Sequence, residues 1–339
     1  MIIFRTDANK NIATGHLMRT LTIAKECYNR SIPVGFVLAD DKSEQILKKL
    51  CSNWENYQIE ILNKKYDDLE TELNDFTEFL AKEKPTSILI DSYYVTSHYL
   101  SEISKYARVC YLDDLNAFDY PVDIVINYCI DAGDLYPDQE IKKYLIGPEY
   151  APLREQFRNR PYQVKEVVRD ILITTGGTDE AGIAKKIVEI SQATLGESVN
   201  LHILVGALNC YRMYFKELAA MHPNIIIYEN YSEMADLMQK CDLAISAAGS
   251  TLYELCAIGV PTICFTIADN QIPNAKGLSA HEALIYAEKQ DFDFHISELA
   301  ADYPRRKKLS AKMRSLVDGY GASRIVDELL ISAQITEHS

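Results

Sequence analysis

One histidine, His16, stands between a polar loop and a stretch of helical pattern, "TDANKNIATGHLMRTLTIAKECYNR", Thr6 to Arg30. Gly15 precedes it and Arg19 follows one helical turn later. An imidazole changes charge near neutral pH, and its neutral form can take a proton from water, so His16 is a candidate general base. A histidine at a loop–helix junction can equally be structural, and Arg19 can be a ligand contact or an exposed helix residue. Two later junctions suit an anion. "ITTGGTDEAG" places Gly176, Gly177 and Thr178 after a strand, with Asp179 as a candidate helix N-cap. Paired glycines let the backbone pass close to a ligand, and free amides at a helix start attract phosphate; a simple left-handed turn is the alternative. In "SAAGSTLYELCAIGVPTI", Gly249, Ser250 and Thr251 open a helix that carries Glu254. Thr251 and Glu254 have the spacing of a capping box. Alternatively, the helix start holds a diphosphate and the Glu254 carboxylate accepts from both vicinal hydroxyls of a ribose. Asn270 and Gln271, in "FTIADNQ", read as the end of a strand, completing a nucleotide pocket or lying in a surface loop. The acidic pair in "YLDDL", Asp113 and Asp114, lacks His or Cys companions and reads as a turn or a substrate-facing carboxylate rather than a metal site.

Alternating elements must position these groups. "IIF" is a strand, and Leu17, Leu21, Ala24 and Tyr28 fall on one helical face. "VGFVLAD", "QIEIL", "SILIDSYY", "RVCYLDD" and "DIVINY" are further strands, with "SEQILKKLC" and "LETELNDFTEFLAKEK" as helices, the latter stopped near Pro85. Continuous apolar strands separated by helices suit a parallel sheet covered on both faces. "YLIGPEYAPLREQFRNRPYQ" carries prolines at 148, 152 and 161 and reads as a crossover. Alternation then restarts at "DILITTGG" and runs through "NLHILVG", "NIIIYEN", "DLAISAAGS" and "PTICFTIA", with "PNAKGLSAHEALIYAEK" as one helix before a basic helical tail. The expected architecture is two Rossmann-like α/β domains with a cleft between them: residues 1–150, a linker at 151–164, and 165–339, whose last helix can pack back on the first domain.

The chain has 339 residues, enough for two cores. Its formal charge of −14 argues against coating nucleic acid or an anionic membrane, though not against a small anion held by local dipoles. Eight cysteines without a C-x-x-C pair, several inside apolar runs, suggest reduced thiols in a cytoplasmic protein. No run of eighteen apolar residues and no secretory leader pattern is seen, so no membrane insertion is expected, and monomer is the default state.

The succession Gly-Gly strand end, "AAGSTLYEL-AIGVPTI" and "DNQ", over about residues 165–290, resembles the nucleotide-binding half of GT-B glycosyltransferases, including the lipid II N-acetylglucosaminyltransferase. "FRTDANKNIATGHLMRTLTIA", then "LIDSYYVTSHYL", "VCYLDDL", "DIVINY" and "LIGPEYAPLREQF", resemble the UDP-sugar hydrolases of pseudaminic acid biosynthesis and their spore-coat polysaccharide relatives. One departure is Ala13, where that family usually has glycine. The resemblance implies a GT-B-like fold and hydrolysis of UDP-2,4-diacetamido-2,4,6-trideoxy-β-L-altropyranose to UDP and free sugar, with no cofactor and no essential metal. It implies His16 as the base toward water and Arg5, Asp7, Gly15, Arg19, Asp91 and Tyr93 as contacts to the sugar. It further implies Gly176, Gly177, Thr178, Gly249, Ser250, Thr251, Glu254, Asn270 and Gln271 as contacts to the nucleotide. A UDP-sugar transferase and a non-catalytic nucleotide-sugar binder are the rival readings.

Overall fold

The computed structural model describes residues 1–9, 12, 14–136, 142–176, 179, 181–206, 209–229, 231–287 and 291–331. The chain forms two compact units, Met1–Leu153 with Tyr320–Ser339, and Arg154–Gly319.

The first unit runs β1 (Ile2–Thr6), α1 (Gly15–Asn29), β2 (Val34–Leu38), α2 (Asp41–Leu50), β3 (Gln58–Ile61), α3 (Leu73–Glu83), β4 (Ser87–Asp91), α4 (Ser97–Ile103), β5 (Arg108–Leu112), β6 (Ile124–Asn127) and β7 (Lys143–Ile146). The second contains β8 (Asp170–Thr174), α5 (Ile183–Leu195), β9 (Asn200–Val205), α6 (Arg212–Met221), β10 (Ile225–Glu229), α7 (Met234–Lys240), β11 (Leu243–Ala247), α8 (Thr251–Ile258), β12 (Thr262–Phe265), α9 (Ile272–Ala280), β13 (Ile285–Tyr286), α10 (Phe292–Ala301) and α11 (Tyr303–Leu316). The chain then returns to the first unit as α12 (Gly321–Leu330).

All strand pairs are parallel, in the orders β3-β2-β1-β4-β5-β6-β7 and β10-β9-β8-β11-β12-β13. Every residue of β1, β2, β4 and β11 is buried, as strands covered by helices on both faces require. One face of the first sheet packs Phe4, Phe36, Leu89 and Cys110 with Leu17, Leu21 and Ala24 of α1. The other packs Ile3, Ile88, Ile90 and Val109 with Phe76, Leu80 and Leu100. In α12, Ala322, Ile325, Val326 and Leu329 recur at helical spacing and join the α1 face of this core. Burying each of the three larger side chains contributes about 1.5–3 kcal/mol. Arg30, just after α1, secures the contact through Asp327 at 2.5 Å and the Ser323 hydroxyl. In the second unit Ile171, Ile173, Leu201, Ile203, Ile245 and Ile263 form a single core with α5 and α10 residues.

Local chemistry sets the ends. Asp40 accepts from the Ser43 amide at 2.8 Å to start α2, and the Thr96 hydroxyl accepts from the Tyr99 amide at 3.0 Å to start α4. Gly259, at φ +89°, closes α8 in a left-handed turn that a side chain would strain.

The sequence reading departs from the structure in three places. "KYLI", inside the proline-containing segment, is the edge strand β7, too short and half-exposed to show alternation. The short helix α4 carries only one full turn of apolar pattern and is absent from that reading. The single helix expected over "PNAKGLSAHEALIYAEK" ends at Ala280; Glu282 then takes φ +56°, and Ile285–Tyr286 pairs with β12. All eight cysteines are unpaired, and Cys27, Cys110, Cys241, Cys256 and Cys264 are buried. Among the described residues, no helix is long and apolar enough to cross a membrane.

Candidate functional site

In the first sheet the chain builds outward from β1 to β3 and then restarts beside β1 with β4, so the loops after β1 and β4 diverge. Open parallel sheets bind ligands at such a switch point, beyond the carboxyl ends of the strands. His16, the second residue of α1, lies on the loop side of β1, and Asp91 is the last residue of β4.

The two meet: His16 Nδ1 lies 2.5 Å from Asp91 Oδ1. The Asp91 carboxyl is buried, which alone would raise its pKa, but Arg19 and then His16 outweigh burial and hold it well below the usual carboxylate range. An ionised carboxylate only accepts, so the hydrogen between them belongs to Nδ1, and in the neutral ring the lone pair is then on Nε2. That is the tautomer a general base needs. The ring is only 6% exposed, and the Tyr93 ring meets it edge-on at 4.4 Å.

Arg19 has a different position from the one the sequence suggested. Its Nε and Nη2 donate to Asp91, each at 2.6 Å, while Nη1 and Nη2 donate to Asp114, each at 2.9 Å. Nη1 also donates to the Tyr128 hydroxyl at 2.9 Å. A guanidinium has five N–H donors, and these five bonds use them all. Arg19 has none left for a sugar; it is a clamp on two carboxylates. Nη2 also lies 3.3 Å from His16 Nδ1, a close approach of two donors rather than a bond. The Tyr128 phenol, which accepts from Arg19, is pushed up to about 12 by burial, against the neighbouring guanidinium.

Arg5 and Asp7 are likewise consumed internally. Arg5 is fully buried and grips Glu72 with Nε and Nη2 at 2.6 Å each, and Asp7 with Nη1 at 2.5 Å. The other Asp7 oxygen accepts from the Ala39 amide at 2.7 Å. The Tyr99 hydroxyl donates to Glu72 at 2.7 Å. This cluster braces the loop after β1 from below, which corrects the reading of Arg5 and Asp7 as sugar contacts. Tyr93 does reach the surface, 37% exposed, but its hydroxyl donates to Asp114 at 3.0 Å and so offers an incoming ligand only lone pairs. A Cβ on Gly15 would meet nothing within 4 Å, and Gly15 is not among the positive-φ residues. Neither packing nor torsion demands glycine there, so the space beside the backbone is available to a ligand. Ala13 lies outside the described residues.

The second sheet has its switch point between β8 and β11. Gly176 follows β8 at φ +80°, and its amide donates to Thr174 Oγ1 at 3.3 Å. Gly177 and Thr178 lie outside the described residues. Asp179 accepts from the Ile183 and Ala184 amides at 2.8 and 3.1 Å, so it caps α5 and fills donors that a phosphate would otherwise use. At α8 the opposite holds: no side chain caps its first turn, and a Cβ on Gly249 would meet nothing within 4 Å. Ser250 and Thr251 stand at this uncapped start.

The capping box expected of Thr251 and Glu254 does not form. Glu254 Oε1 pairs with Arg154 Nη2 at 2.8 Å, and Arg154 lies over the Phe157 ring. Burial raises the Glu254 carboxyl, and Arg154 offsets part of that rise. Asn270 and Gln271 do not end a strand. β12 stops at Phe265, and the two amides occupy a short 3-10 turn before α9, where Gln271 accepts from the Ile267 amide at 3.0 Å and Asn270 is exposed.

Asp114, Tyr128, Glu72 and Arg154 complete these arrangements and were not assigned such roles from sequence. For Asp114 and Tyr128 a weak signal was present, since β1, β4, β5 and β6 are followed at once by "D", "SYY", "DD" and "YC", a polar rim along one edge of a sheet; Glu72 and Arg154 lie outside that rim. Among the described residues, no cluster of three or more His, Cys, Asp or Glu is placed to hold a metal ion.

Two parallel-sheet Rossmann-like units define a GT-B-like fold, and comparison with solved structures bears this out. MurG of Acinetobacter baumannii matches 97% of this chain and 98% of its own, with a TM-score of 0.72 at 15% identity. Residues 171–318 match the family model described as the glycosyltransferase family 28 C-terminal domain. The spore coat polysaccharide biosynthesis protein SpsG of Bacillus subtilis is 27% identical over 53% of this chain and 56% of its own. A UDP-2,4-diacetamido-2,4,6-trideoxy-beta-L-altropyranose hydrolase of Campylobacter jejuni is 22% identical over 78% of this chain and 91% of its own. The chain is thus similar to the hydrolases and spore-coat proteins that its motifs resemble. It spans only about half the length of some curated relatives: 56% of SpsG and 54% of an uncharacterized Methanocaldococcus jannaschii protein.

Proposed function

We propose that this protein hydrolyses a UDP-linked 2,4-diacetamido-2,4,6-trideoxyhexose, the altropyranose named for its Campylobacter relative, to UDP and free sugar. The observation that carries the reading is the His16–Asp91 pair, which holds Nδ1–H and leaves Nε2 as the acceptor. In the reaction, water attacks the anomeric carbon while Nε2 takes its proton. The bond from that carbon to the diphosphate oxygen breaks with its electron pair going to UDP, and the imidazolium then returns its proton to solvent. General-base assistance of this kind contributes about 10²–10⁴-fold. UDP leaves as a stable anion, so a dedicated acid is less needed than for an alcohol leaving group.

In this reading the uncapped start of α8, with Gly249, Ser250 and Thr251, holds the diphosphate, supported by Gly176. Backbone donors there stabilise the charge that grows on the leaving oxygens. The second Glu254 oxygen receives the ribose hydroxyls while Arg154 keeps the first. The sugar is bounded by Gly15, His16 and Tyr93.

A transferase is the second reading, favoured by the family 28 match and by relatives named as N-acetylglucosamine transferases of undecaprenol intermediates. The two separate in one experiment. Purified protein with the UDP-sugar, EDTA and no acceptor is expected to release equal amounts of UDP and free sugar. Release that begins only on adding a sugar or lipid acceptor would assign the chain to the transferases.

A further inference from the structure

We propose that Asp114 is a positioning residue for His16, acting through Arg19 and Tyr93. The inference deepens the hydrolase reading and rests on it. Asp113 and Asp114 are neighbours with separate tasks. Asp113 builds the turn after β5, accepting from the Leu115 amide at 2.8 Å, the Asn116 amide at 3.0 and 3.1 Å, the Tyr120 hydroxyl at 2.8 Å and the Tyr136 hydroxyl. Asp114 makes none of these turn bonds. Its two oxygens accept from both terminal nitrogens of Arg19 and from the Tyr93 hydroxyl.

Two consequences follow. The first is geometric: a planar guanidinium held on both sides by carboxylates cannot rotate, so the Asp91 oxygen facing His16 is fixed. Tyr93, tethered to the same carboxylate, packs its ring against the imidazole at 4.4 Å in a T-shaped pair. The second is electrostatic. The charged and titratable groups in contact with His16 are Asp91 from β4, Arg19 from α1 and Tyr93, and these bring in Asp114 after β5 and the Tyr128 phenol as their own partners. Two carboxylates and one guanidinium leave the cluster one net negative charge while the imidazole is neutral. Taking a proton from water brings it to zero. Without the Asp114 charge, the same step would create a net positive charge in a mostly buried site, which low-dielectric surroundings disfavour.

The test is an NMR titration of the His16 ring in the whole protein, assigned by the signal lost in His16→Gln. Asp114→Asn is expected to lower the midpoint by about one pH unit, and Asp114→Glu to restore most of it. In the acceptor-free assay, Asp114→Asn should lower kcat more than it changes KM and move the acid limb of the pH profile the same way as the ring titration. If Asp114→Asn does not fold, Asp114→Ser, smaller and also uncharged, gives the same readouts. A midpoint in the uncharged variant that coincides with the wild type, whatever its melting temperature, overturns the inference. Wild-type hydrolysis by His16→Gln overturns His16 as the base, and wild-type protein that releases no sugar without an acceptor overturns the hydrolase reading; in either case the ring titration still judges Asp114.

Discussion

At the carboxyl edge of its sheet the first unit uses charged side chains, whereas the second uses backbone. Around the β1/β4 switch point, His16, Asp91, Arg19, Asp114, Tyr93 and Tyr128 form one bonded network. Around the β8/β11 switch point stand glycines, small hydroxyl residues and an uncapped helix start, with one ion pair between Arg154 and Glu254 behind it. The two edges share a topology and differ in chemistry. Side chains can be tuned in basicity and moved by single protons, which suits bond breaking. Backbone amides cannot be titrated, and they suit holding an anion without exchanging protons with it. In the proposed function that contrast becomes a division of labour between a base and a nucleotide site.

The comparison can be broken by separating turnover from nucleotide binding. The largest effect is expected from His16→Leu, which removes the proposed base and leaves the second unit untouched. Its kcat should fall about 10³-fold, with UDP affinity, read by calorimetry, within about twofold of wild type. Parallel loss of UDP binding would merge the two roles. Next is Gly249→Val, which fills the space beside the α8 start. UDP should bind about tenfold more weakly or worse, since charge-assisted bonds are lost, while melting temperature holds because a Cβ there meets no neighbour. Unchanged affinity would move the diphosphate elsewhere.

The smallest effect concerns stability against acid. The Asp91 carboxyl is depressed in the folded chain by Arg19 and His16 against the opposing effect of burial. A depressed carboxyl adds stability that is complete above its unfolded value, about pH 4, and is lost as pH falls further. Asp91→Asn should therefore lower stability at neutral pH and flatten its decline below about pH 4, as read from urea midpoints. An acid limb as steep as that of the wild type would mean that Asp91 is not specially held.

The polar ends of the strands were legible because they follow from near neighbours in the chain; His16 stood out only by its place at a loop–helix junction, while its partner Asp91 lies 75 residues away. The pattern also yielded the alternation of strands and helices and the Asp179 cap, whose partners lie four and five residues away. Arg5 and Arg19 read as sugar contacts only by resemblance, and the sequence displays each cation without its partners. Those partners, Glu72, Asp114 and Tyr128, lie 67, 95 and 109 residues away. Glu254 was read against Thr251, three residues before it, and its actual partner is Arg154, one hundred residues earlier. Strand β7 was missed for a related reason, since a short edge strand is specified more by its neighbour β6 than by its own residues.

The amino-acid order alone determined that this chain builds parallel sheets flanked by helices and places glycine, histidine and acidic residues where strands end. Periodicity and turn preference act over a few residues, so they survive in one dimension. Which carboxylate meets which guanidinium, and therefore which side chains have donors left for a ligand, was decided only by folding. Hydrogen bonding saturates, and the partners that saturate it are brought together by the sheet from distant parts of the chain.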